Sequence, residues 1–143
     1  MKLRLFIDSS VLFSAANSER GHSRDLVLMS AKEEHTLVLS HYVLEETRRN
    51  LARLKEPKLV DLELLLSKAA VEIVSVDRDD VLLAAEKTVL KDAPIIAAAK
   101  KAKVSILVSL DKKHILSHPE LETYINAPIL TPKEAYQKIK APK

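Results

Sequence analysis

Leu3-Arg4-Leu5-Phe6-Ile7-Asp8-Ser9-Ser10-Val11-Leu12 carries an apolar, strand-like run into an aspartate and straight on into a helix-like segment. Val104-Ser105-Ile106-Leu107-Val108-Ser109-Leu110-Asp111-Lys112-Lys113-His114 repeats that arrangement late in the chain. Short runs rich in Leu, Ile and Val that alternate with helical patterns read as βα units and a parallel sheet. In such an open sheet the carboxyl ends of the strands share one edge, and ligands bind in the crevice there. Asp8 and Asp111, far apart in sequence, are therefore expected at a common edge.

Outward from these two runs the alternation continues. Leu3 to Ile7 is the expected first strand, followed by a helix from Ser9 to Asn17 and a turn at Gly21. A second helix fits Ser23 to Glu34, with Ser23 as its cap and Leu26, Val27 and Ala31 inward. Thr36 to Leu39 reads as the second strand, and Ser40 caps a helix from His41 to about Lys55. Pro57 breaks it and opens another helix, which reaches Ala69 or Ala70. Val71 to Val76 is the third expected strand, Asp77 to Thr88 a helix begun by acids, and Asp92 to Lys103 a helix with Pro94 in its first turn. Val104 to Ser109 and Ile129-Leu130 are the last strands, and Thr131-Pro132-Lys133-Glu134 starts a terminal helix through Lys140 with a capping box. No repeat, linker or low-complexity tract divides residues 1–143, so the expectation is a single α/β domain, doubly wound around a mainly parallel sheet of about five strands.

Composition bounds the chemistry. At 143 residues and 47% hydrophobic, the chain can bury a real core. Aromatics are only 3% and Trp is absent, so stacking platforms for single-stranded bases are scarce and nucleic-acid binding must lean on charge. The net charge of +3 suits a polyanionic partner but does not require one. Without cysteine there is no disulfide, thiolate zinc site or cysteine nucleophile, so a metal must be held by oxygen or imidazole. No stretch has the length of a membrane span or a signal h-region, which leads us to expect a cytoplasmic protein with no membrane partner.

Glu46 and Asp92 join Asp8 and Asp111 as acids placed near the start of helices. Grouped carboxylates repel one another and resist desolvation, so their convergence points to a hard cation, Mg²⁺ or Mn²⁺, and to metal-assisted phosphoryl chemistry. The one glycine, Gly21, excludes a Walker A loop and a dinucleotide fingerprint, both of which need several. A haloacid-dehalogenase-like phosphatase would have Asp where Ser10 stands, and a response-regulator receiver would need paired acids near the first strand.

Four blocks carry a resemblance to a known family: Phe6-Ile7-Asp8-Ser9-Ser10-Val11-Leu12, Leu39-Ser40-His41-Tyr42-Val43-Leu44-Glu45-Glu46, Lys91-Asp92-Ala93-Pro94-Ile95-Ile96-Ala97-Ala98-Ala99 and Leu107-Val108-Ser109-Leu110-Asp111-Lys112-Lys113-His114. In order and placement they resemble the PIN-domain ribonucleases, which include the toxins of VapBC-type toxin-antitoxin pairs. The resemblance implies a PIN-like sheet and a divalent-metal-dependent endoribonuclease acting on single-stranded RNA, with an antitoxin protein and a second copy of the chain as partners. It implies Asp8, Asp92 and Asp111 as ligands of Mg²⁺ or Mn²⁺, with Glu46 completing the shell or orienting the nucleophile. Lys91, Lys112, Lys113 and Arg48 would hold flanking phosphates, with His114 beside them. The family usually has Gly before its last Asp, where this chain has Leu110.

Each residue also has a plainer role. Asp before a helix is a common N-cap, Glu46 alone suits a solvated helix, and Asp77, Asp79 and Asp80 suit first-turn helix charges. None of the five His has metal-ligand spacing, and Lys100, Lys101 and Lys103 suit a solvated face. Between Glu45 and Glu46, helix phase favours the second, which lies roughly 110° from the centre of the Leu44, Thr47, Leu51, Leu54 stripe against roughly 150° for Glu45. A PIN-like module that binds RNA or protein without catalysis is the alternative function.

Overall fold

The computed structural model describes residues 2–32 and 35–140. Five strands form one sheet: β1 (Leu3–Ile7), β2 (His35–Ser40), β3 (Val71–Val74), β4 (Ile106–Val108) and β5 (Ile129–Leu130). Their order is β3-β2-β1-β4-β5 and every pairing is parallel. The central β1 is buried from Leu5 onward, as a strand covered on both faces must be.

The chain winds outward from β1 twice. Helices α1 (Ser9–Asn17) and α2 (His22–Ala31) lead to β2, then α3 (His41–Ala52) and α4 (Leu59–Ser67) lead to β3. The path returns through α5 (Arg78–Ala84), a 3-10 turn at Leu90–Asp92 and α6 (Ala93–Ala102) to β4, on the other side of β1. From there α7 (Pro119–Ile125) leads to β5 and α8 (Pro132–Lys140). The helices α1 to α4 pack among themselves and with α8, whereas α5 and α7 pack on α6, giving the two helical layers of a doubly wound sheet. No helix among the described residues is long and apolar enough to cross a membrane.

Local chemistry moves several element ends from their expected positions. Helix α2 begins at His22 after Gly21, with no side-chain cap, and Ser23 and Leu26 face inward while Ala31 is exposed. Gly21 has φ 124, a conformation other residues rarely adopt. The end expected at Glu34 lies outside the described residues. Helix α3 stops at Ala52 because the N–H groups of Arg53 and Leu54 turn back to Asn50 and Leu51, ahead of a proline that disfavours helix at Glu56. Pro57 therefore precedes α4 instead of opening it. Helix α5 gives way to turns after Ala84, short of Thr88. Strand β3 ends at Val74, before the Asp77–Asp80 capping box. Strand β4 is shorter than its apolar run because Val104 N–H closes the end of α6 on Ala99, next to Lys103 in the left-handed region. The residues after Asp111 form turns and not a helix.

Candidate functional site

The strand order reverses between β1 and β4, which makes that edge the switch point of the sheet. Ile7 and Val108 are register partners, and Asp8 N–H continues the pairing by donating to Val108 carbonyl at 3.2 Å. Asp8 and Ser109 thus leave neighbouring strands side by side.

Asp8 is 2% exposed and serves as the N-cap of α1, its Oδ1 accepting from Val11 N–H at 3.1 Å. Two hydroxyls also donate to it: Ser10 to Oδ1 at 2.6 Å and Ser109 to Oδ2 at 2.5 Å. Burial pushes the Asp8 pKa up, against the pull of those hydrogen bonds, and the nearby charge of Asp111 adds to the rise.

Asp111 is held by the same serine, since its N–H donates to Ser109 Oγ at 3.0 Å. Its Oδ1 accepts from Lys113 and His114 N–H at 3.1 and 3.0 Å. Its partial burial acts to raise its pKa, but the His114 and Lys113 N–H groups and the charges of Lys91 and His114 outweigh that, and the net direction is down. Leu110, at the position the family usually gives to Gly, is exposed and is not among the residues with positive φ. Its N–H donates to Ser10 Oγ at 3.3 Å, so the chain passes this corner without the left-handed backbone a glycine would permit.

Asp92 differs from both. It stands at the junction of the 3-10 turn and α6, where Pro94 supplies no N–H, and its side chain caps nothing. It is 5% exposed, and its Oδ2 is buried without a hydrogen-bond partner. Burial raises the Asp92 pKa and Asp111 adds to the rise, opposed by Lys91 and His114. The capping role open to every Asp before a helix accounts for Asp8 and part of Asp111, but not for Asp92.

A lysine and a histidine face these carboxylates. Lys91 Nζ lies 3.6 Å from Asp92 Oδ1 and 3.7 Å from Asp111 Oδ2. His114 Nδ1 lies 3.8 Å from Asp92 Oδ2 and 3.6 Å from Asp111 Oδ2. Asp92, Asp111 and His114 each offer an atom within 4.8 Å of the others, a group that could hold a metal ion. The spacing Asp111-x-x-His114 is the available signal for the imidazole.

Glu46 adjoins this group without entering it. Half-buried on α3, it accepts from Ser9 Oγ through Oε1 and from Tyr42 OH through Oε2, the latter at 3.3 Å. The Tyr42 hydroxyl is also 3.1 Å from the Lys91 carbonyl, so it reaches from Glu46 to the turn that carries Asp92. Burial, then the charge of Glu46, raises the Tyr42 pKa. Glu45 is exposed.

The basic residues divide. Lys112 and Lys113 are exposed on the turn after Asp111. Arg48 is engaged elsewhere, its Nε donating to Glu63 of α4 at 3.1 Å. Asp77 and Asp80 are committed to capping α5, and Asp80 also pairs with Lys101 at 3.5 Å.

A buried carboxylate oxygen with no donor, set among further carboxylates and an imidazole, suits a hard or borderline divalent cation. Asp92, Asp111 and His114 could hold it, with Asp8 alongside.

Among solved structures, the fold is similar to PAE2754 from Pyrobaculum aerophilum, at TM-score 0.66 and 19% identity over 98% of this chain and 91% of that one. It is also similar to VapBC2 from Rickettsia felis bound to a promoter DNA fragment, at TM-score 0.62 and 16% identity over 89% and 97%. Mycobacterium tuberculosis VapC20, a sarcin-ricin loop cleaving toxin, follows at TM-score 0.55 and 18% identity over 76% and 91%. At these identities the likeness is one of fold. No curated protein matches the chain in sequence. The PIN domain family model matches residues 5–118, from the first strand through the turn that carries Asp111 and His114, and the chain belongs to the PIN-domain family.

Proposed function

We propose that this protein is a divalent-metal-dependent endoribonuclease that hydrolyses phosphodiester bonds of single-stranded RNA, acting as the toxin of a toxin-antitoxin pair. The observation that carries the reading is the buried, unpartnered Asp92 Oδ2 beside Asp111 at the switch point, since a buried carboxylate oxygen left without a partner is costly unless a cation completes it. Family membership supports nuclease chemistry, and two fold neighbours, VapBC2 and VapC20, support the toxin assignment. An antitoxin protein and a second copy of the chain are the partners that go with it.

In this reading Asp8, Asp92, Asp111 and Glu46 form the metal-binding and catalytic set, with Mg²⁺ or Mn²⁺ as the ion. The ion, when bound, supplies a lowered water pKa and offsets charge building on the phosphate. Asp8 is kept in place by Ser10, Ser109 and the N-terminus of α1. Glu46, with its oxygens oriented by Ser9 and Tyr42, is the acceptor for the proton of the attacking water. As the water oxygen bonds to phosphorus, the bond to the departing bridging oxygen breaks. Lys91, Lys112 and Lys113 hold the flanking phosphates, giving affinity without base identity, and Arg48 joins them only by leaving its pair with Glu63.

The test is cleavage of a mixed single-stranded RNA with Mg²⁺, Mn²⁺ or chelator, beside Asp8→Asn and Asp92→Asn. The expected result is cleavage by the wild type that chelator stops and that both folded variants lack. Folded variants that cleave at the wild-type rate would overturn the assignment. A wild type that binds RNA but does not cut it with either metal would favour the non-catalytic module.

A further inference from the structure

We propose that His114 is a third ligand beside Asp92 and Asp111, making the centre a mixed carboxylate and imidazole site that prefers Mn²⁺ over Mg²⁺; this rests on the metal-dependent reading above. Three observations meet at this point. The Asp92 Oδ2 atom is buried and has no hydrogen-bond partner, so the group holds an acceptor that nothing in the fold completes. Asp111 uses Oδ1 on two backbone N–H groups, which fixes the carboxylate and turns Oδ2 toward the imidazole. His114 Nδ1 stands 3.8 and 3.6 Å from those two oxygens, too far for a hydrogen bond to either. Donor atoms that share one ion at about 2.1 Å lie roughly 3–4 Å from one another. His114 Nδ1 has that spacing to both oxygens, and all three atoms lie within 4.8 Å of one another.

The imidazole matters for ion choice. Mg²⁺ takes oxygen ligands and gives up its water reluctantly, whereas imidazole nitrogen suits transition ions, whose affinity at mixed sites rises from Mn²⁺ onward. A site made only of carboxylates discriminates weakly between the two ions, and a nitrogen ligand tilts it. The local fold supports the role. Asp111 and His114 come from one turn, locked by the bond of Asp111 Oδ1 to the N–H of His114 itself.

The rival role for His114 is that of a counter-charge, sharing with Lys91 the task of neutralising the acids. The two roles predict opposite signs. Removing a ligand weakens cation binding, but removing a competing positive charge tightens it. Calorimetric titration of metal-free wild type and His114→Gln with Mn²⁺ and with Mg²⁺ separates them, since Gln offers no imidazole nitrogen and no charge. The expected result is a loss of about tenfold or more for Mn²⁺ and less than about threefold for Mg²⁺, comparable to other losses around metal sites. Electron spin echo measurements on Mn²⁺-loaded wild type should show ¹⁴N coupling, a readout that does not depend on the variant folding. Unchanged or tighter Mn²⁺ binding in folded His114→Gln, or no ¹⁴N coupling in the wild type, overturns the ligand role and leaves the carboxylate centre standing. A wild type that binds neither ion overturns both this proposal and the nuclease reading.

Discussion

Ser109 Oγ donates to Asp8 Oδ2 at 2.5 Å and accepts from Asp111 N–H at 3.0 Å, so one hydroxyl fixes the acids that end two adjacent strands. It satisfies a buried carboxylate and a backbone donor together, and both would lose a partner with it.

Ser109→Ala should therefore lower stability by about 1–3 kcal/mol, the usual cost of leaving a buried polar group unsatisfied. Cleavage should fall by more than about tenfold, because Asp8 and Asp111 would no longer be held at a fixed separation. Thermal melts and single-turnover cleavage check the two halves. A melting temperature and rate equal to wild type would mean the acids are positioned by the strands alone.

The pH dependence of metal-free stability follows from the buried acids. Asp8 and Asp92 have folded-state pKa values raised above those of the unfolded chain, mainly by burial, so the native state retains their protons to higher pH. Stability then falls as pH rises from the ordinary carboxylate range through the raised values. Asp111, Glu72 and Glu134 are shifted down and act oppositely, losing their contribution as pH drops through the carboxylate range. The metal-free protein should thus be most stable under mildly acidic conditions. Asp92→Asn should flatten the decline toward neutrality and raise the metal-free melting temperature at pH 7 by about 2–4 °C, the change that roughly 1 kcal/mol makes in a domain of this size. The same variant should show a smaller rise with Mn²⁺, which stabilises by mass action only where it binds. Scanning fluorimetry across pH and Mn²⁺ checks both parts. A wild-type melting temperature indifferent to Mn²⁺ would count against the site.

Glu46 and Glu45 provide a matched pair. Glu46→Gln should slow single-turnover cleavage at saturating Mn²⁺ by about 10²-fold or more, the scale of a positioned proton acceptor. Glu45→Gln, on the exposed side of α3, should stay within about twofold of wild type on the same scale. Tyr42→Phe should fall between them, since it removes one of two donors to Glu46. Equal losses for the two glutamates would mean that neither takes the proton.

Lys112 and Lys113 should report on the RNA path. Replacing both with Ala should weaken binding of all single strands and reduce the salt slope by roughly 1.4, about 0.7 for each phosphate no longer neutralised. Arg48→Ala should change the slope less, because its guanidinium is engaged by Glu63. Binding isotherms at several salt concentrations decide it. An unchanged slope in the double variant would place the RNA on another face.

Much of this architecture is legible in the chain because the apolar runs of β1, β2 and β4 are short and bounded by capping residues. Ser40, Thr131 and Asp8 cap the helices they precede, as their side chains predict. Helix α7 is not foreseeable in the same way, although Pro119 stands in its first turn and Asn126 adopts the left-handed conformation at its end. Seven residues give little periodicity, and the preceding His and Ser residues read as loop. The role of His114 is hidden for a different reason. Its neighbours in the group include Asp92, and that juxtaposition sets the 3-10 turn beside the turn after β4, which no local spacing encodes.

The switch point also bears on when the candidate site is completed during synthesis of the chain. Ser109 and Asp8 are separated by 101 residues, and β4 takes its place beside β1 only after β2 and β3 have been made. A chain still growing through α4 holds Asp8 and Glu46 but lacks Asp92, Asp111 and His114. Truncated products ending there carry half of the four acids, and the set is not complete until Asp111 has been made. A site built this way is complete only when the long-range pairing of β1 with β4 is in place, a contact of high sequence separation. Circular permutation, through the turn at Gly21 for example, would change the point in synthesis at which the site is complete without altering one of its residues.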